Sequence, residues 1–356
     1  MRLPVQIYPK IIALTLFLII PVLGICADST LQGTYVSSVI LTAPWGQKNL
    51  FMDKEPSPPG EFGIFDQYSR DPSVVDQGPV QGPSTFTMAP AGDIYICDIY
   101  NSRIQRFSPE GNFISAIPMK ERVADEDIAV DQEGNIYVLT VVSSPVLVWK
   151  YDQNGNGIKE YKMFNDADAA GMNYGNSTHL YCDKSGRLFL SYYKANEKTQ
   201  AVFQFGTNTV EFTPGQQKAT LRKGSAGVSG IILNKEQLFQ SINGAVFSVD
   251  NLGKSVTEFK SLGSYSFLDA DASGYAYLTF YNMENDMYSV RKQAPDGKII
   301  SSFEWRYPRY QLSNSPTPVS VRTNKALTID AQGNVYVLVL TNSGVTITKW
   351  SPVGGK

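Results

Sequence analysis

Residues 89–111 read APAGDIYICDIYNSRIQRFSPEG. Two turns with a central glycine, PAGD and SPEG, bracket runs in which apolar and polar residues alternate. Alternation with a period of two marks a strand, and glycine supplies the positive φ that a tight hairpin needs. One hairpin accounts for one turn. Two turns imply three or four antiparallel strands in a row, which is a module, and modules come in copies.

The copies are present. The pattern Gly–x–apolar–aromatic–apolar occurs at Gly92, Gly134, Gly186, Gly274 and Gly333, with a degraded version, NKEQLFQ, near Glu236. The spacings are 42, 52, 50, 38 and 59 residues. Each copy opens with a short strand (TFTMAP, DIAVD, HLYCD, SGIILN, SFLDAD, ALTID). A Gly turn and a second strand follow, then a variable loop and a third strand. A second Gly turn leads to a fourth strand such as FISAI, VTEF or KIISSFEW. Repeats of this length with four antiparallel strands predict a β-propeller. The last copy, ALTID–NVYVLVL–TITKW, lacks a fourth strand. The segment TYVSSVILTA at 34–43 is a spare one. We therefore expect an all-β, six-bladed propeller in which the N-terminal strand completes the last blade. Closure of that kind removes raw sheet edges.

The chain has 356 residues, 42% hydrophobic and 18% charged, which suits a globular domain with a large core. Its N-terminus differs. Arg2 and Lys10 precede a 15-residue apolar run, IIALTLFLIIPVLGI, and small residues follow before Asp28. This is the pattern of a secretory signal, too short to be a standard membrane span. The expected layout is a signal peptide over 1–27, cut after Ala27, and one propeller domain over 28–356, secreted or extracytoplasmic. Lipidation at Cys26 and retention as an uncleaved anchor are the two weaker readings. No comparable apolar run follows, so no membrane span is expected after cleavage. Without residues 1–27 the formal net charge moves from −2 to −4. That balance excludes phosphate-backbone binding as a main activity, and no nucleic-acid partner is expected.

The stretch around Asp98 closely resembles an NHL repeat, P-x-G-x-I-Y-V-x-D-x-x-N-x-R-I-x-x-F-x-x-x-G. Asp98, Asn101, Arg103 and Ile104 fall on its marked positions, and GEFG at 60–63 resembles the segment that joins blades in that family. The other blades keep the skeleton and lose the Asn-x-Arg-Ile portion. The resemblance implies a six-bladed propeller in a superfamily that includes gluconolactonase-like and strictosidine-synthase-like members. It implies no single activity.

The repeat order puts the short Gly turns on one face and the variable, often long, connections on the other. The longest connections are 45–82, 164–178, 213–227 and 305–324. Long loops on a rigid scaffold are where recognition usually sits. On that face WRYPRYQ supplies Trp305, Arg306, Tyr307, Arg309 and Tyr310, residue types enriched at binding hot spots. His179 is a further ligand-binding candidate on that face; as the single histidine it rules out a three-His zinc site within this chain. Asp125, Asp127, Asn165, Asp166 and Asp168 are the oxygen ligands with which a Ca²⁺-type cation could be held, as gluconolactonase-like propellers hold theirs. No cofactor is otherwise indicated. DQNGNGIKEYKM at 152–163 begins like a calcium loop but puts Met163 where a bidentate Glu is required, so it reads as a turn. Cys97 and Cys182 fall on non-adjacent blades and are expected to stay unpaired. The leading expectation is a non-enzymatic propeller, monomeric, that binds an unknown protein, peptide or glycan. The alternative is a metal-dependent hydrolase or lactonase.

Overall fold

The computed structural model describes residues 35–48, 56–65, 81–119, 125–140, 147–162, 179–182, 188–194, 199–204, 228–234, 237–242, 245–249, 255–259, 266–270, 275–282, 287–294, 296–306, 326–330 and 332–353. The chain divides into Met1–Thr30 and Leu31–Lys356, and every described residue belongs to the second unit. Among the described residues no helix is long and apolar enough to cross a membrane. The calls on the signal segment lie outside them.

Six sheets are formed by the described residues. Strands β1 (Tyr35–Lys48) and β2 (Phe62–Ile64) join the last sheet. The first blade holds β3 (Phe86–Met88), β4 (Ile94–Asp98), β5 (Arg103–Phe107) and β6 (Phe113–Pro118). The second holds β7 (Asp125–Val130), β8 (Ile136–Thr140), β9 (Leu147–Tyr151) and β10 (Gly157–Lys162). The third holds β11 (His179–Cys182), β12 (Leu188–Lys194) and β13 (Thr199–Gln204). The fourth holds β14 (Val228–Asn234), β15 (Gln237–Ile242), β16 (Ala245–Val249) and β17 (Ser255–Phe259). The fifth holds β18 (Ser266–Ala270), β19 (Ala276–Asn282), β20 (Met287–Gln293) and β21 (Ile299–Arg306). The last is β22 (Leu327–Ile329), β23 (Val335–Thr341) and β24 (Gly344–Pro352), with β1 added outside. Within each blade every neighbouring pair is antiparallel; the parallel pair is β2 on β1. Neighbouring sheets touch in sequence around the circle, and β22 of the last touches β3 of the first, so the sheets follow one another in a closed ring. This is the architecture of a β-propeller.

The closing strand is longer than 34–43. It runs to Lys48, paired with β24 from Tyr35↔Pro352 to Pro44↔Gly344. Beyond Pro44 it changes partner and takes β2 in parallel, Trp45 opposite Phe62. Trp45 Nε1 also donates to the Thr341 carbonyl at 2.7 Å. Part of the expected 45–82 link is therefore built into the blade.

In the first, second and last blades the second strand is buried on both faces, which explains its largely apolar sequence. In β23 Val335, Val337 and Val339 pack with Tyr277, Val290 and Phe303 of the fifth blade. Tyr336, Leu338 and Leu340 face the other way, onto Phe62, Phe86, Ile94 and Ile96. Tyr95 and Cys97 of β4 in turn meet Ile128, Ile136 and Val138 of the second blade. Each blade is thus one layer of a stack, and blade-to-blade burial is the main stabilising contribution. Cys97 is buried and in no disulfide; the Cys182 side chain is outside the described set.

A single turn recipe builds the glycine face. Connections 89–93, 108–112, 131–135, 152–156, 294–298 and 330–334 are all five residues long, with glycine fourth. That glycine has φ between +80° and +96° in every one. The first residue of the turn donates its N–H to the carbonyl of the fifth, and the glycine N–H donates to the carbonyl of the first. This is a tight turn closed by a glycine bulge. Connections 183–187, 250–254 and 271–275 have the same length and the same glycine offset in sequence. The degraded copy departs because β14 and β15 are joined by two residues, Lys235 and Glu236, which leaves no fourth position for a glycine.

The aromatic of the repeat pattern also has a partner that the pattern conceals. Tyr95, Tyr137, Tyr277 and Tyr336 sit directly across the ladder from Arg106, Lys150, Lys292 and Lys349. Each cation lies 5.2–5.7 Å from its ring centroid. At this separation each pair adds about 0.5–1 kcal/mol where solvent reaches it.

Candidate functional site

The most elaborate polar constellation grows from β4 and β5. A turn of 3₁₀ helix, Ile99–Asn101, followed by Ser102 at φ 51°, reverses the chain between them. Asp98, Asn101, Arg103 and Gln105 are thereby brought to one side, all buried. Arg103 Nε donates to Asp98 Oδ2 at 2.9 Å. Its other nitrogens donate to the carbonyls of Ser57 (2.6 Å), Pro58 (3.0 Å) and Glu61 (2.6 Å). Gln105 Nε2 donates to Glu61 O and Asp98 Oδ2, and Gln105 Oε1 accepts from Gly60 N–H. Asn101 bridges the Ser57 N–H and Asp98, and Gly63 N–H donates to Asp98 Oδ1 at 3.0 Å. Burial pushes the Asp98 carboxyl upward, and the Arg103 charge with the Asn101 and Gly63 hydrogen bonds pulls it back. The whole device grips residues 57–63, the stretch between β1 of the last blade and the body of the first. It is a clasp across the ring seam. Its donors and acceptors are consumed by one another, so it offers no open chemistry.

Of the expected axial oxygen ligands, Asp127 is the one whose side chain is described. Asp127 in β7 is fully buried. Its Oδ1 accepts from the Thr85 hydroxyl at 3.1 Å and from Ile128 N–H at 2.8 Å. Its Oδ2 accepts from Leu180 N–H at 3.2 Å. One carboxylate therefore ties the innermost strands of the first, second and third blades together. Replacing Asp127 by alanine leaves buried donors without an acceptor, and chemical denaturation should show a loss of roughly 2–4 kcal/mol. Asp125 opens the same strand, its Cα opposite Thr140; its side chain, with Asn165, Asp166 and Asp168, is outside the described set. Among the described residues no three His, Cys, Asp or Glu side chains gather in a metal-binding group. His179 opens β11 with its backbone opposite Ser191, and its side chain too lies outside.

WRYPRYQ is divided. Trp305 is half-buried in β21, stacked on Tyr288 at 5.0 Å and against Phe303 at 5.8 Å. Arg306 ends the strand exposed. Tyr307, Arg309 and Tyr310 fall outside the described residues. Trp305 accordingly packs the blade edge, and Arg306 stands where the long connection leaves it.

The calcium-like stretch is the turn between β9 and β10. Asp152 accepts N–H donors from Asn154 and Asn156 and the Asn156 side-chain amide. These bonds, the Asn156 side chain first, hold its carboxyl below the ordinary value. Asp131 and Asp330 cap their turns in the same way and also accept from Tyr137 and Tyr336 hydroxyls. Sequence reasoning missed Gln105 and the carbonyls of 57–61 as parts of the clasp. The available signal was the run Asp98, Asn101, Arg103, Gln105, the last two standing where the second blade has Leu147 and Trp149.

No protein-family model matches the chain, and no curated protein sequence matches it. Solved structures resemble it distantly. A streptogramin B lyase is 13% identical, over 89% of this chain and 98% of that one, with a TM-score of 0.45. The virginiamycin B lyase of Staphylococcus aureus is 14% identical over 76% and 95%, TM-score 0.45. A nidogen/laminin complex is 14% identical over 63% and 83%, TM-score 0.43. None of these likenesses bears on chemistry. The fold rests on this chain's own ring of sheets: it is a β-propeller.

Proposed function

We propose that the chain is an exported, six-bladed, NHL-like propeller that binds a protein, peptide or glycan on its long-connection face and carries out no reaction there. The observation that supports it is the asymmetry of the two faces. The described turns on one face are held to five residues, whereas connections 65–85, 163–178 and 307–326 all leave from the other. Connections that vary in length from blade to blade on one face suit a recognition surface on a fixed scaffold. The clasp formed by Asp98, Asn101 and Arg103 supports the NHL-like reading, because the residues that carry the resemblance act together on the blade-joining segment.

The test is a titration of purified 28–356 with Ca²⁺, following the thermal midpoint, beside capture from the exported fraction. The expected result is no calcium-dependent shift, and capture that is lost when 307–325 is replaced by a short linker while the midpoint is kept. A stoichiometric metal with a saturable rise, about 2.7 kcal/mol at a hundredfold excess over Kd, would replace this reading with the hydrolase alternative.

A further inference from the structure

The segment that the clasp grips is held as a displayed ridge. Residues 56–61 read Pro-Ser-Pro-Pro-Gly-Glu. A proline ring fixes its own φ, and a residue that precedes proline is pushed into the extended region; Ser57 and Pro58 both precede one. Residues 56–59 therefore follow the polyproline II path, three residues to the turn. The hydrogen bonds keep that period. Ser57 N–H donates to Asn101 Oδ1 at 2.9 Å, and Gly60 N–H, three residues on, donates to Gln105 Oε1 at 2.8 Å. The Ser57 side of the helix is thereby turned onto the first blade, and Ser57 is 1% exposed. The other two sides carry Pro56 with Pro59, and Pro58, and all three prolines are exposed. A type II turn ends the run: Glu61 N–H donates to the Pro58 carbonyl at 3.1 Å, with Gly60 at φ 90°.

Anchoring the chain at the seam uses the buried side and the backbone alone, since Arg103 takes the carbonyls of Ser57, Pro58 and Glu61. The two outer sides add nothing to that anchorage. They present three proline rings to solvent on a backbone already fixed from behind. Grooves lined by aromatic side chains take polyproline II ligands through such rings, and rigidity that is present beforehand removes the ordering cost of binding. We infer that Pro56, Pro58 and Pro59 are a docking site for a partner protein with an aromatic-lined, polyproline-reading groove. The ridge lies on the long-connection face, because Asn101 and Arg103 hold it from the β4–β5 connection. The inference thus rests on the reading of that face as a recognition surface, and it names a place on it other than 307–326 together with the class of partner.

The test uses the full chain and two probes, an isolated SH3 domain and an isolated WW domain, each carrying fluorotryptophan in its groove and read by fluorine NMR. A saturable shift is expected with at least one of them, at a Kd below about 1 mM. Pro56→Ala combined with Pro59→Ala, both at exposed positions, should weaken that binding about tenfold or more while the thermal midpoint is kept. A free peptide of residues 54–61 should bind about tenfold more weakly than the chain, because it must order its backbone on binding. Replacing 307–325 by a short linker should leave the shift as it is. No shift with either probe, a shift that the proline variant retains in full, or a free peptide that binds as tightly as the chain would each overturn the inference. Any of these beside capture that depends on 307–325 would leave the recognition face standing without the ridge. A proline-dependent shift beside capture indifferent to 307–325 would keep the ridge and remove the role given to that connection.

Discussion

Arg103→Ala is expected to lower the stability of the propeller by about 3–5 kcal/mol, the range found when one partner of a buried ion pair is removed. Roughly 5–10 °C should be lost from the thermal midpoint. The size follows from what is left behind. Asp98 has no exposed surface and would lose the guanidinium that, at 2.9 Å, offsets the burial of its carboxyl. The carbonyls of Ser57, Pro58 and Glu61 would lose their donors at the same time. Lysine cannot substitute, because a single ammonium does not reach Asp98 and three carbonyls in a fixed fork, so Arg103→Lys should fall nearer to alanine than to the native protein. Combining Arg103→Ala with Asp98→Ala should cost less than the two changes added, with a coupling of about 1–3 kcal/mol. Additive losses in that cycle would show that the pair does not act as one unit. The damage should also be directional. The clasp holds 57–63 at the seam, so limited proteolysis should open residues 49–61 before any blade-internal turn.

This clasp is also where sequence and structure part company. Asp98, Asn101, Arg103 and Ile104 were recognisable as a motif, and β3 to β6 could be drawn from the alternation in 89–111. What Asp98, Asn101 and Arg103 hold was not recognisable. Their partners include backbone carbonyls and N–H groups 35 or more residues away, and a carbonyl leaves no mark in a sequence. Gln105 was missed for a similar reason: a buried glutamine in an alternating strand looks like a solvent-facing one until its neighbour across the seam is known. Asp127 was read as a metal ligand because a carboxylate at the entrance of an innermost strand has the right type for that role. The structure gives its carboxylate the Thr85 hydroxyl and the N–H groups of Ile128 and Leu180, partners that residue type alone does not announce. The blade repeat was legible because five-residue turns with glycine fourth are local, and local geometry is written in residue type. Trp305, expected in a binding patch with Arg306, stacks on Tyr288 and against Phe303, contacts that the sequence does not display.

Gly111→Ala should be the most damaging of the glycine substitutions, and Gly134→Ala its control. Both residues are fourth in a five-residue turn, with φ of 83° and 80°. Both therefore incur the same backbone cost on gaining a side chain, roughly 1–2 kcal/mol for an L-residue in this region. Their surroundings differ. A Cβ on Gly134 would meet the Gln153 side chain at 3.6 Å, an ordinary contact. A Cβ on Gly111 would overlap the carbonyl oxygen of Ile40 and crowd Leu41 Cα, which are backbone and cannot rotate away. Ile40 is the bulged residue of β1, between Val39↔Thr348 and Leu41↔Ile347, so the outer turn of the first blade is seated on the irregular point of the closing strand. Alanine at 111 must push the first blade off the last, and overpacking adds about 1–3 kcal/mol or more to the backbone cost. Denaturation of the two variants side by side should therefore separate them by at least about 1 kcal/mol. Equal losses would mean that φ alone fixes these glycines and that the turn does not hold the seam. A larger loss at 111 would make glycine at this position serve two ends, a left-handed turn within its own blade and close approach to the strand that closes the ring.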